Sequence, residues 1–311
     1  MKFQTAESMK QFTAYIAVLV TMMLWGISFV WTRSLFDAGL NPLFVMTVRL
    51  FLSGGLLYAV LKPLGRLNKI ARGDVKWFLA LAFFEPFLYF FGDNYGVLWT
   101  SASMASVFIA TIPIFVPLAM HLVYKEPVRA TNIIGVLVSL SGIAVMVLNN
   151  RMQLVADVRG LAALAVAVFA SVSYSVLLAK MMTKYSAYTI TTYQNIIGFL
   201  YYLPLFLAFD LSHSLSVSFT GRMILDLFLL AVFCSAVAFI LYTYTAHKIG
   251  VTKTSVFANL IPVFTVVFAV TLGQETFDMR KFIGMLLVIG GVILSQISFS
   301  KPVSKACKTQ K

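Results

Sequence analysis

Long apolar runs alternate along this chain with short polar segments. Ten runs, each of about 17–22 residues, lie at about 13–32, 43–61, 76–97, 102–123, 131–149, 160–180, 189–209, 224–245, 252–272 and 281–299. At about 1.5 Å of rise per residue, each is long enough to cross roughly 30 Å of hydrocarbon as a helix. Lipid offers the backbone no hydrogen-bond partner, so a spanning segment must satisfy its own N–H and C=O groups, which a helix does. The period-2 alternation of a membrane β-barrel is absent. The pattern therefore predicts an all-α membrane protein with ten transmembrane helices. Residues 1–12 are short and polar, and the first apolar run is too long for a signal-peptide core, so an uncleaved N-terminal segment is expected.

A second pattern lies over the first: the second half repeats the first at an offset of 149 residues. Tyr95, Ser106, Pro113, Glu126, Gly135 and Gly142 recur as Tyr244, Ser255, Pro262, Glu275, Gly284 and Gly291. In all, 12 of the 48 positions from 95 to 142 are identical to their mates, without a gap. Apolar bias alone does not place a Pro, a Glu and two Gly in register. Each half holds five spans, an odd number, so the second half enters the membrane from the opposite side. The expected architecture is two inverted five-helix repeats, 13–149 and 160–299, with a binding site between them.

Composition agrees with a membrane chain: 60% of residues are hydrophobic and 11% charged. The net charge of +13 raises nucleic acid as a partner, but the positions of the charges argue for orientation instead. With the N-terminus inside, 17 Lys and Arg fall in one set of loops and termini and 6 in the other, with Arg49 inside a span. This positive-inside bias places both termini in the cytoplasm, including the basic tail 300–311. No folded basic domain is left over to bind nucleic acid. Cys234, inside a span, and Cys307, in the tail, form no plausible disulfide, and the three histidines have no ligand spacing. No phosphate loop, zinc motif or nucleophile elbow appears, so no cofactor, metal or enzymatic activity is expected.

The stretch Ser101-Ala102-Ser103-Met104-Ala105-Ser106 to Pro113, then Glu126, Gly135 and Gly142, has a second copy from Ser255 through Pro262, Glu275, Gly284 and Gly291. Together with Trp25-Gly26 in the first span, these residues resemble the drug/metabolite transporter superfamily in its EamA-type branch, over about residues 13–299. The resemblance implies a secondary carrier of the bacterial inner membrane, often an exporter of amino acids or other small metabolites, with helices 1–4 and 6–9 lining a central cavity. The small multidrug-resistance relatives carry a glutamate in their first helix. This chain has none there, so their proton exchange does not transfer directly.

Ionisable groups deep in a bilayer are costly and are functional candidates by default. Glu85 lies nine residues beyond Lys76, about 13–14 Å along a helix and near the midplane, and Pro86 after it is expected to kink the helix. A carboxyl there suits proton uptake and release, making protons the candidate coupling ion; a purely structural role is the alternative. Tyr89 and Asp93 follow at i+4 and i+8 on the same face. Asp93 and Asn94 read as a gate or amine site, or as an interfacial helix end. Arg49 reads as a substrate-carboxylate ligand, as a partner for Glu85 or Asp93, or as a snorkelling side chain.

Trp25 and its mate Tyr174 are candidates for cavity walls or for stacking on a substrate cation. Gln194, Asn195 and Asn259 bond either substrate or neighbouring helices. Glu126 and Glu275 are expected near helix N-termini, and Pro113 and Pro262 as hinges or static kinks in helices four and nine. The small-residue faces at Gly135/Gly142 and Gly284/Gly291 join helices five and ten within one chain, or join two chains as a homodimer. The reading is a carrier of small polar metabolites working by alternating access. An uncoupled exchanger or facilitator of the same fold, or a lipid scramblase, are its rivals.

Overall fold

The computed structural model describes residues 2–125, 130–147, 156–276 and 279–296. Glu126, Cys307 and the basic tail lie outside the described residues. All regular structure among those described is helical. The main helices are α1 (Lys2–Asp37), α2 (Pro42–Leu61), α3 (Arg72–Trp99), α4 (Ala102–Tyr124), α5 (Ala130–Val147), α6 (Val158–Met181), α7 (Ala187–Phe209), α8 (Gly221–Ile249), α9 (Val251–Thr271) and α10 (Met279–Gln296). Seven of them, all but α5, α7 and α10, are long and apolar enough to cross a membrane by length and composition. Helix α7 has the length, at 23 residues. It is less apolar because Thr189, Thr191, Thr192, Gln194 and Asn195 lie on it, and these are buried against its neighbours. Helix α1 begins at Lys2, well before the expected start at 13, because no Pro or Gly precedes the apolar run.

The helices pack in pairs that recur with the two halves exchanged. Helix α3 lies on α6 as α8 lies on α1, and α4 lies on α6 as α9 lies on α1. Helices α2 and α7 pack on each other, as do α5 and α10. The α5–α10 contact uses the small-residue faces. A Cβ at Gly142 would sit 2.6 Å from the Gly284 carbonyl oxygen, and one at Gly291 would sit 2.6 Å from the Gly135 carbonyl oxygen. The Ser139 hydroxyl donates to the Val288 carbonyl at 3.0 Å between them. Of the two pairings open in the sequence, the one within the chain is present.

Four helices are interrupted at mid-length, at positions related by the repeat. In α3 the backbone widens to a π-turn over Phe83–Leu88, and Glu85 leaves helical geometry at φ −147°, ψ 119°. Helix α8 widens over Leu230–Val237, which contains Cys234, the mate of Glu85, and here no proline marks the spot. Helix α4 breaks between Ile109 and Ile112, and α9 passes through a 3-10 segment at Phe257–Leu260. Pro113 and Pro262 each stand in the first turn of the helix that follows its break. Proline needs no N–H there, so it starts the second segment of each helix and kinks no continuous one.

The links between these helices show how one geometry is reached by two chemistries. Ser101 joins α3 to α4 as an N-cap, its hydroxyl accepting the Met104 N–H at 3.2 Å. Its mate Gly250 joins α8 to α9 at φ +90°, a conformation open chiefly to glycine.

Candidate functional site

Three of the interruptions, in α3, α4 and α9, border one central cavity, and the fourth, in α8, stands behind the Trp25 ring that lines it. Its walls are pseudo-symmetric pairs at the repeat offset: Trp25 and Tyr174, Phe90 and Phe239, Ile109 and Ala258, Ile112 and Ile261. Proline has no N–H to offer the carbonyl four residues back, which is Ile109 for Pro113 and Ala258 for Pro262, and both residues line the cavity. Trp25, Phe90, Phe239 and Tyr242 form a connected set of rings. Trp25 packs at 5.2 Å from Phe239 and 5.0 Å from Tyr242, and Phe90 lies 6.0 Å from Phe239. The Trp25 indole donates to the Cys234 carbonyl in the widened turn of α8 at 3.2 Å, which fixes the ring.

The charges break this symmetry. Arg49, Glu85 and Asp93 all line the cavity, and all come from the first half. Their mates are Gly198, Cys234 and Tyr242, of which only Tyr242 reaches the cavity. The Arg49 Nε donates to the Ser235 hydroxyl of α8, and its guanidinium lies over the Phe90 ring, 4.6 Å from the centroid. Among the described residues Arg49 forms no ion pair within 4.0 Å, so of its three readings the pairing with Glu85 or Asp93 is not made in this structure. At the pseudo-equivalent contact, Gly198 meets the Pro86 ring, so an apolar contact stands where Arg49 and Ser235 meet in the other half.

Glu85 is 4% exposed, and one carboxylate oxygen accepts the Ser171 hydroxyl of α6 at 3.2 Å. Asp93 is 8% exposed, and its Oδ1 has no hydrogen-bond partner among the described residues. Tyr89 also lines the cavity, so Glu85, Tyr89 and Asp93 meet there, although Glu85 sits in the α3 break and not on the continuous helix that the spacing assumed. The space open to the centre of a water molecule is about 50 Å³. That admits a few waters and is far below the ~300 Å³ or more of an ordinary small-molecule site, so a metabolite enters only if the walls separate.

Four candidates stand outside the cavity. The Asn94 amide donates to the Phe90 carbonyl at 2.8 Å and approaches the Met46 sulfur at 3.3 Å. Gln194 accepts the Tyr174 hydroxyl at 3.3 Å, and thereby backs a cavity wall. Asn195 donates to Ser53 and to the Ser235 carbonyl, both at 3.1 Å, linking α7 to α2 and α8. Asn259 is buried in the α9 interruption with no partner for either amide atom among the described residues. Sequence reasoning missed Ser171, Ser235 and Tyr242. The repeat offset was the available signal for Tyr242, as the mate of Asp93; nothing in the local sequence marks the two serines.

Glu275 caps a helix of the opposite half. Its carboxylate accepts the Ser103 N–H in the first turn of α4 at 3.0 Å and pairs with Lys281 at 3.0 Å. Burial raises its pKa, but the hydrogen bonds from Ser103 and Lys281 outweigh that and hold it below its ordinary value of 4.5. Asp210, beyond the end of α7, does the same for α2: it accepts the Phe44 N–H at 2.9 Å and the Asn41 amide at 2.7 Å.

The profile of the EamA-like transporter family matches the chain twice, at residues 12–148 and 158–297. The chain is 25% identical to YetK of Bacillus subtilis, an uncharacterised transporter, over 94% of this chain and 89% of that one. It is also 25% identical to an uncharacterised transporter of Archaeoglobus fulgidus, over 90% of this chain and 96% of that one. A solved crystal structure shares the fold with a TM-score of 0.69 at 18% identity, covering 92% of this chain and 97% of its own. The apolar helices make the chain a multi-pass membrane protein. With two matches that together take in nearly its whole length, the chain belongs to the EamA-like transporter family.

Proposed function

We propose that this protein is a secondary carrier of small polar metabolites that works by alternating access. The ten helices are read as ten spans in two inverted five-helix repeats, with both termini cytoplasmic and the chain in a bacterial inner membrane. The observation that carries the reading is the division of labour in the central cavity. A cavity walled by repeat-related side chains from both halves is charged from one half only, by Arg49, Glu85 and Asp93. A scaffold that exchanges its halves gives two facings, and an asymmetric charge set gives the bound solute chemistry that differs between them.

Amino acids and related zwitterions fit this lining, with Arg49 toward a carboxylate and Asp93 toward an ammonium. Export is the favoured direction, on the family resemblance. Glu85 is the proton-coupling group in this reading. Asp93, Tyr89, Arg49, Tyr174 and Tyr242 share its cavity, and Ser171 holds its carboxylate. The test is uptake into proteoliposomes of pooled labelled amino acids and small metabolites, with and without an imposed pH gradient. Saturable, gradient-driven uptake is expected, and Glu85→Gln should cut the gradient-driven part at least about tenfold, about 1.4 kcal/mol of barrier. Gradient-driven flux that survives Glu85→Gln unchanged would overturn the coupling role and leave an exchanger or facilitator. Lipid transfer without solute uptake would replace the carrier reading with a scramblase.

A further inference from the structure

A second, larger cavity lies on the outside of the assembly, between α4, α5 and α6. Its volume is about 490 Å³, within the range of ordinary ligand sites. Helix α4 contributes Phe108, Phe115 and Leu122, α5 contributes Leu140, and α6 contributes Phe169 and Val172. The hydroxyl among its described lining residues, that of Thr111, already donates to the Phe108 carbonyl at 2.7 Å. A polar occupant would therefore lose its hydrogen bonds on entry, while hydrocarbon would lose none. Leu122 is 72% and Phe169 63% exposed, on a face that in a membrane meets lipid.

The groove has a length and a charged end. From the break at Thr111 to Leu122 the helical rise is about 16 Å, close to half of a ~30 Å hydrocarbon core. Beyond Leu122 the Tyr124 hydroxyl donates to the Val176 carbonyl at 3.0 Å, tying α4 to α6 where the groove ends. Lys125 follows, exposed, in a left-handed turn at φ 58° that closes α4. A one-leaflet apolar groove that ends at an exposed cation complements an anionic amphiphile.

We propose that this groove holds one acyl chain of an anionic bilayer phospholipid, with its headgroup phosphate at Lys125. The chain runs along α4 to the break, touching Phe108, Thr111 and Phe115. The opposite side of that break, at Ile109 and Ile112, lines the central cavity. The proposal needs only that the chain spans a membrane, and it stands apart from the identity of the transported solute.

The test is native mass spectrometry of the full chain after transfer from vesicles of phosphatidylglycerol or phosphatidylcholine with matched short or long acyl chains. The wild type should retain one phospholipid through detergent exchange, with long chains held over short ones and phosphatidylglycerol over phosphatidylcholine. Ala119→Trp and Ala165→Trp, which fill the groove, should each lower retention about tenfold, equivalent to about 1.4 kcal/mol. Lys125→Gln should erase the headgroup preference and leave the chain-length preference. Retention indifferent to chain length in the wild type overturns the proposal, as does undiminished retention by folded tryptophan variants. A co-purifying non-lipid hydrophobe that displaces the phospholipid would make the groove a solute site and also overturn it.

Discussion

At the residue scale, Arg49 is the group whose surroundings say most. Its Nε is held by Ser235, its flat face rests on Phe90, and its neighbours bring no ion pair within 4.0 Å among the described residues. A lysine cannot both donate from Nε and stack a planar cation on the ring, so Arg49→Lys is not conservative here. Transport by Arg49→Lys is expected to fall at least about tenfold in kcat/KM, about 1.4 kcal/mol. Ser235→Ala leaves the charge but frees its orientation. Its effect should fall mainly on KM, and steady-state counterflow separates the two parameters. The spacing of Tyr89 and Asp93 was enough to put them on one face, because they lie one turn apart on a regular helix, whereas Glu85 stands at the break of α3 and shares their wall through the fold. Ser171 and Ser235 were not legible, since serines are common in membrane helices and only packing shows which ones meet a carboxylate or an arginine.

At the element scale, the helices are tied to the opposite half at their ends and along their small faces. Asp210→Ala removes the acceptor for the Phe44 N–H at the start of α2. Loss of about 1–2 kcal/mol is expected, read as a lower Tm in detergent. Glu275 gives a pH-dependent case. Its carboxyl is held below its ordinary value of 4.5, so its contribution is fully present above that value and is lost as pH falls through the depressed one. The Tm difference between wild type and Glu275→Gln should therefore be largest at neutral pH and shrink on acidification below about 4.5. A difference constant with pH would show that the Ser103 and Lys281 contacts contribute nothing as a charged pair. Gly142→Leu forces a side chain toward the Gly284 carbonyl, where even a Cβ would stand at 2.6 Å. Overpacking there should cost about 1–3 kcal/mol and lower the yield of folded protein.

At the scale of the whole molecule, the exchange of halves is the organising relation. It brings α3 of one half against α6 of the other and α8 against α1, and places the α3, α4 and α9 interruptions around one centre. The proposed membrane topology follows from the cation count, with 17 Lys and Arg in one set of loops and termini and 6 in the other. Tags fused at both ends should be digested by protease in inside-out vesicles and protected in right-side-out ones. Digestion of one tag from each side would break the odd-span argument and the inverted repeat with it. The contracted cavity carries a further expectation: solute binding should expand the bundle, read as altered hydrogen exchange around the α4 and α9 breaks.

The sequence by itself determined the helical class, the apolar runs and the repeat, because each rests on a local or periodic property: run length, charge position, or identity at one offset. It also placed the kink at Glu85-Pro86, since proline announces itself. It did not announce the matching wide turn at Leu230–Val237, where no proline stands and the α8 interruption appears only in the folded chain. Only tertiary structure decided that Glu275 caps α4 across the molecule, that Gln194 and Asn195 serve neighbouring helices, and that Arg49 rests on Ser235 and Phe90. The physical reason is common to all of them. A polar group in a membrane helix must find a partner, and which partner it finds depends on residues of other helices that only packing brings within reach.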